Sequence, residues 1–230
     1  MPEDLAPSRA VRADEEAHVL DDAEHGDVHL AEHGDRLDRV GVGDVLGRGD
    51  DDRPRQAHLL GERQLGVPRS GWQIDQDFPQ FLPLPKTVSR RTQLGDSIMT
   101  AIVLAGTDEG GLFRDLERLR LQECERVMAL KTELTKCGAR LIEEGQTLRV
   151  FPSTLHGAEI ETYNDHRMAM CFGTLGLKVP GIKIKNPACV KKTFPNFFQK
   201  LSAAPPAGLG APILNAVTGR ELELDELIAE

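Results

Sequence analysis

Tyr163-Asn164-Asp165-His166-Arg167-Met168-Ala169-Met170-Cys171-Phe172 is the stretch from which the rest of this chain is read. An Asp ahead of an apolar run can cap a helix, its carboxylate accepting from free backbone N–H groups. The pattern predicts a helix over 167–177, with His166 and Arg167 at its first turn. Those free N–H groups and the positive end of the helix dipole already favour an anion. A cation placed there works against the dipole. An anionic ligand is one reason to accept that cost. An ordinary capped helix, with its Arg paired to a surface acid, is the other.

Working outward, helical spacing recurs upstream at Val127, Leu130, Leu134 and Cys137, and Gly138 supplies a stop. Arg140-Leu141-Ile142 and Thr147 to Phe151 flank a Glu-Glu-Gly-Gln turn and predict a β-hairpin. Ser97 to Ala105 is a short apolar run that reads as a helix behind an Asp96 cap. Downstream, Ile182 to Lys185 reads as a strand, and Pro195 suits the first turn of a last short helix. Residues 106–118 contain Gly110-Gly111, which weakens a strand assignment there. The order helix–strand–strand–helix–strand–helix indicates an α/β or α+β layer structure.

The decisive stretch resembles the Asn-Asp-His-Arg-Met-Ala-Met signature of the 5-enolpyruvylshikimate-3-phosphate (EPSP) synthases, the 3-phosphoshikimate 1-carboxyvinyltransferases. Three more segments resemble that family in the right order: Leu94-Gly95-Asp96-Ser97-Ile98-Met99-Thr100, Gln122-Glu123-Cys124-Glu125-Arg126, and Lys192-Thr193-Phe194-Pro195-Asn196-Phe197-Phe198. Together they span about Thr87 to Ala203 and correspond to the later part of the family's C-terminal domain. The resemblance implies domains built of repeated βαβαββ units, of which this chain would hold about one and a half. It implies division into an acidic low-complexity segment and linker at 1–85, a partial enolpyruvyl transferase domain at 86–205, and a tail at 206–230, with 220–228 as a lone acidic helix.

The resemblance also implies a reaction. The family joins phosphoenolpyruvate to the 5-hydroxyl of shikimate 3-phosphate by addition and elimination, with neither metal nor organic cofactor. Asp96 aligns with the aspartate at the substrate hydroxyl and Glu123 with the glutamate assigned to proton transfer. A buried carboxyl beside an apolar helix has a raised pKa, which would suit Glu123 to general acid work. Arg126 and Arg167 align with carboxylate-binding arginines, a task that suits their fork geometry. His166 is the neighbour of the second, and Lys192 aligns with the lysine facing the donor. Gln122 stands where many members have lysine, and Arg118 falls near a substrate-touching asparagine. Each has an ordinary alternative: a cap for Asp96, a first-turn acid for Glu123, an i,i+3 partner of Glu123 for Arg126, and a solvated charge beside Lys191 for Lys192.

The family's Lys-Ser-x-x-x-x-Arg, Asn-Ala-Gly-Thr-type and Ser-Ser-Gln runs do not occur here. In the family these belong mostly to the opposite domain, so the chain is expected to hold one wall of the cleft and to turn over slowly. A separate N-terminal domain acting in trans is the partner this implies. A noncatalytic anion-binding remnant is the competing reading. The related enolpyruvyl transferase of cell-wall synthesis fits less well, because Asp-His-Arg-Met-Ala-Met favours the shikimate enzyme.

Charge divides the chain. Residues 1–80 hold 9 Arg, no Lys and 19 acidic residues, whereas residues 81–230 hold 19 basic and 18 acidic residues, including all nine lysines. The front segment is therefore strongly acidic, and the family-like region can supply local cations. A net charge of -9 argues against nonspecific nucleic-acid binding. No apolar run is long enough for a membrane span, and no signal peptide stands out. Cys124, Cys137, Cys171 and Cys189 are widely spaced, the first three within helical patterns. They read as reduced thiols of a cytoplasmic protein.

The front segment predicts no stable packing, because glycines interrupt helices and charges interrupt strands. It carries a near-repeat, Ala23-Glu24-His25-Gly26-Asp27 against Ala31-Glu32-His33-Gly34-Asp35. Its composition resembles GC-rich DNA translated in another frame. His25, His29 and His33, with Asp21, Asp27 and Asp35 nearby, would form one imidazole face on a helix and give a weak metal-binding alternative.

Overall fold

A computed structural model describes residues 27–30 and 78–229 of the chain. In chain order the elements are β1 (Val28–Leu30), β2 (Thr87–Ser89), α1 (Ile98–Ala105), β3 (Gly111–Arg114), α2 (Arg126–Lys136), β4 (Leu141–Glu144), β5 (Thr147–Val150), β6 (Glu159–Ile160), α3 (His166–Gly176), β7 (Lys183–Ile184), α4 (Phe197–Ser202) and β8 (Ile213–Asn215). From β2 to β5 the sequence of elements is βαβαββ, one complete unit. Its sheet runs β2-β3-β5-β4, with β2 and β3 parallel and the other two pairings antiparallel. The second sheet runs β6-β7-β1-β8 with the same succession of parallel, antiparallel and antiparallel pairings. β6, α3 and β7 repeat the first half of the unit. β1 then occupies the place that β5 holds in the first sheet.

Every residue of α1 is buried, as is all of α3 except Arg167. These two helices pack lengthwise on each other, with α2 beside both. α1 leans on β3, and α3 leans on β7 and β1. The core is accordingly a helical layer backed by both sheets.

Several expectations needed correction. The doubtful strand near Gly111 does form, because β2 and β5 bond it on both sides. Asp96 does not cap α1; it sits in a 3-10 turn, Gly95–Ser97, and Ser97 takes the N-cap position without a side-chain bond. Cys124 precedes α2 rather than lying within a helix.

The 220–228 stretch is not a helix. Leu214 bridges Glu221, Arg220 binds Glu226 at 2.6 and 2.9 Å, and Leu227 and Ala229 bury themselves while Ala229 N–H donates to the Pro195 carbonyl. Tertiary packing on α4 outweighs the local helical preference of that acidic run.

The largest departure is β1. Val28–Leu30 form a strand inside a segment expected to have none, because β7 and β8 satisfy its backbone on both edges. Val28 is buried. His29 lies on this strand, so no helical His25, His29 and His33 face forms there; His25 and His33 lie outside the described residues, as do the near-repeat and most of the acidic segment. Among the described residues no cluster of His, Cys, Asp and Glu could hold a metal, and no helix is long and apolar enough to cross a membrane. All four cysteines are free thiols.

Candidate active site

Four separate segments deliver the expected residues to one place. Gly95, at φ +53°, turns the end of a π-helical turn (Arg90–Leu94) into the 3-10 turn that presents Asp96. Gln122 and Glu123 lie in the bend before α2, and Arg126 is its first residue. Glu125 caps α2 by accepting from Met128 N–H, and Arg120 braces Glu125 at 2.5 Å and Glu143 at 2.7 Å. That brace fixes the start of α2 against the β4–β5 hairpin.

Tyr163 and Asn164 both adopt positive φ, +55° and +53°, and this corner aims Asp165. Asp165 caps α3 by accepting from Arg167 N–H at 2.8 Å. A 3-10 helix at Pro187–Lys192 ends with Lys192.

Arg126 is the hub. Its Nε donates to Asp165 Oδ2 at 2.6 Å and its Nη2 to Asp165 Oδ1 at 3.2 Å. Nη2 also reaches Glu123 Oε2 at 2.6 Å; Nη1 reaches Gln122 Oε1 and, at 3.4 Å, Asp96 Oδ2. Arg167 Nε lies 3.7 Å from that same Asp96 oxygen. Gln122 Nε2 donates to it at 3.0 Å. Lys192 Nζ donates to Glu123 Oε1 at 2.6 Å. Arg126, Arg167 and Lys192 therefore do gather around two carboxylates, as the sequence led us to expect. Both the ordinary i,i+3 pair of Glu123 with Arg126 and the site arrangement are present at once.

The electrostatics differ from the expectation at Glu123. The hydrogen bond from Lys192 is the main cause that holds its carboxyl down to about 2; partial burial works against this, and the Arg126 charge adds to it. Glu123 is thus a carboxylate, not a raised-pKa acid, because an ammonium sits on it. For Asp96, burial would raise the carboxyl, but bonds from Arg90 and Gln122 and the charges of Arg167 and Arg90 together lower it.

Burial depresses His166 below the ordinary imidazole range despite Asp165. Its Nδ1 is buried without a hydrogen bond, 4.0 Å from Asp165 Oδ1. Of the seven residues singled out, His166 alone stays outside the hydrogen-bonded cluster. Arg118 is exposed.

Two members were missed. Asp165 was read only as a cap, yet it is the fully buried partner of Arg126. Arg90 donates from Nη2 to Asp96 Oδ1 at 2.5 Å. The signal for Asp165 was in the decisive stretch itself. Nothing in the Ser89-Arg90-Arg91 run pointed to Asp96, six residues on. The assembled charges are four cations (Arg90, Arg126, Arg167, Lys192) against three carboxylates (Asp96, Glu123, Asp165), a surplus of one positive charge. Such a cluster can exchange its internal carboxylates for those of an anionic ligand.

A model of the family described as EPSP synthase (3-phosphoshikimate 1-carboxyvinyltransferase) matches residues 85–201. The 3-phosphoshikimate 1-carboxyvinyltransferase of Nostoc punctiforme is 48% identical over 87 residues, 38% of this chain and 20% of that protein. That of Sodalis glossinidius is 45% identical over 111 residues, 47% of this chain and 26% of the relative. That of Shewanella oneidensis is 35% identical over 134 residues, 57% and 32% respectively. The chain thus spans about a fifth to a third of the length of these curated relatives. Among solved structures, an EPSP synthase from Acinetobacter baumannii superposes with a TM-score of 0.43 at 25% identity, over 50% of this chain and 28% of that one. The enolpyruvyl transferase NikO from Streptomyces tendae gives 0.43 at 22% identity, over 56% and 28%.

Proposed function

Because this chain belongs to the EPSP synthase family, we propose that it forms one wall of a site transferring the enolpyruvyl group of phosphoenolpyruvate to the 5-hydroxyl of shikimate 3-phosphate. The observation that carries the reading is the gathering of Asp96, Glu123, Arg126, Arg167 and Lys192 from four distant segments. In this reading Asp96 accepts the proton of the attacking hydroxyl as its oxygen bonds to C2 of the donor. Glu123, once the donor's anionic groups have drawn Lys192 and Arg126 away, carries the proton added to the methylene carbon. The same carboxylate takes a proton back from the methyl group as phosphate leaves. Gln122 bridges Arg126 and Asp96, and His166 supports the Arg167 corner as a neutral imidazole.

The proposed domain division is 1–85, 86–205 and 206–230, with β1 lent by the first to the second. A second polypeptide carrying the opposite wall would raise turnover by holding both substrates in a preorganised, water-poor cleft. Phosphate release from phosphoenolpyruvate with shikimate 3-phosphate tests the proposal, with and without that N-terminal domain. Turnover abolished by Glu123→Gln supports it. Phosphate-ion binding with no turnover under either condition favours the noncatalytic reading instead.

A further inference from the structure

Arg90 lies outside the four sequence stretches that carry the family resemblance, yet it makes the shortest contact to Asp96. Its Nη2 is 2.5 Å from Oδ1. On the other oxygen, Oδ2, Gln122 Nε2 is at 3.0 Å, Arg126 Nη1 at 3.4 Å and Arg167 Nε at 3.7 Å. The carboxylate is therefore divided: Oδ1 belongs to Arg90, and Oδ2 belongs to the cluster. Donor distance decides which contact governs its orientation, since charge-assisted bonds weaken steeply with length and misalignment.

Arg90 is itself launched from a fixed point. Ser89, at the end of β2, donates its backbone N–H to Gln93 Oε1 at 2.6 Å and its hydroxyl to Asp115, while its oxygen accepts from Thr92 N–H. Among the described residues, the Arg90 Nε is buried without a hydrogen-bond partner, so the guanidinium's identified tie to the site is the one to Asp96.

We propose that Arg90 is a positioning residue that clamps one oxygen of Asp96, so that the other oxygen alone is presented to the substrate hydroxyl. The proposal rests on the enolpyruvyl-transfer reading of Asp96 given above. Four groups face Asp96: Arg90 from the π-helical turn, Gln122 from the bend before α2, Arg126 from α2 and Arg167 from α3. Glu123 and Asp165 reach it only through Arg126. Arg90 is the one cation among them with no second carboxylate and no helix N-terminus to serve. Its removal would free the carboxylate to rotate and leave its burial less well opposed.

The test is an NMR titration of the Asp96 side-chain carboxyl in the full chain, assigned by its disappearance in Asp96→Asn. In Arg90→Gln the midpoint is expected to rise by about one pH unit or more. Arg90→Lys, which keeps the charge without the fork, should fall between the two. In the unaltered chain, the Arg90 side-chain nitrogens should shift with the Asp96 midpoint, a readout that needs no variant to fold. An unmoved Asp96 midpoint in folded Arg90→Gln, or Arg90 nitrogens indifferent to Asp96, overturns the proposal. Its failure is separable from that of the functional reading. Coupling without phosphate release in any variant sinks the reaction and leaves the clamp, whereas phosphate release without coupling sinks the clamp alone.

Discussion

Arg126 lies across Asp165 with Nε 2.6 Å from Oδ2 and Nη2 3.2 Å from Oδ1, and both side chains are almost wholly buried. The pair joins the start of α2 to the cap of α3, so the helix whose N-terminus bears Arg167 is set by the helix that bears Arg126. One carboxylate thus serves two purposes, ending the backbone need of α3 and orienting the hub of the site.

Breaking that pair is expected to cost more than any surface change. Removing one partner strands a buried charge, and Asp165→Ala or Arg126→Ala should each destabilise by about 3–5 kcal/mol. In a double-mutant cycle followed by urea unfolding, the two costs should be strongly non-additive. Additive losses would mean that the two residues act independently.

Glu123 gives the chain a pH signature. Its carboxyl falls from an ordinary 4.5 when unfolded to about 2 when folded, chiefly through the Lys192 bond. A depressed folded pKa contributes stability that is fully present above the unfolded value and is lost as pH falls through the folded one. Acid unfolding should therefore steepen between pH 4.5 and pH 2. Lys192→Met should raise the Glu123 midpoint and flatten that part of the curve. An unchanged curve would remove Lys192 from the explanation.

Val28 tests whether the front of the chain belongs to the fold. Val28 is buried between β7 and β8, where a carboxylate would have no partner. Val28→Asp is expected to destabilise by about 2–4 kcal/mol, read as a lowered thermal midpoint and earlier proteolytic release of the front segment. A variant melting with the unaltered chain would show that the second sheet does not need β1.

Gly157 and Gly181 meet backbone to backbone. A Cβ at Gly157 would stand 2.4 Å from the Gly181 carbonyl carbon, and Gly181 has φ +85°. This approach brings Ala158 C=O to Lys183 N–H at 3.0 Å and starts the β6–β7 pairing. Gly157→Ala should cost about 1–3 kcal/mol through forced backbone displacement. Circular dichroism and thermal melting check it, and a neutral substitution would contradict so close a contact.

Local pattern alone determined much of this protein. The Asp165 cap, the helices at 126–136 and 166–176 and the 141–150 hairpin follow from periodicity, capping and turn chemistry acting over a few residues. The motif residues Asp96, Gln122, Glu123, Arg126, Arg167 and Lys192 were legible because their spacing is local to short stretches. Tertiary structure decided the rest. Val-His-Leu at 28–30 has no independent reason to extend and does so because two distant strands bond it on both edges. The acidic run at 220–228 turns back on itself to bury Leu227 and Ala229. The charge state of Glu123 was misread because the residue that sets it, Lys192, arrives from 69 positions away. Burial and charge act through space, and a sequence states only order along the chain. Which cation faces which carboxylate is fixed once the two sheets and their helices have packed.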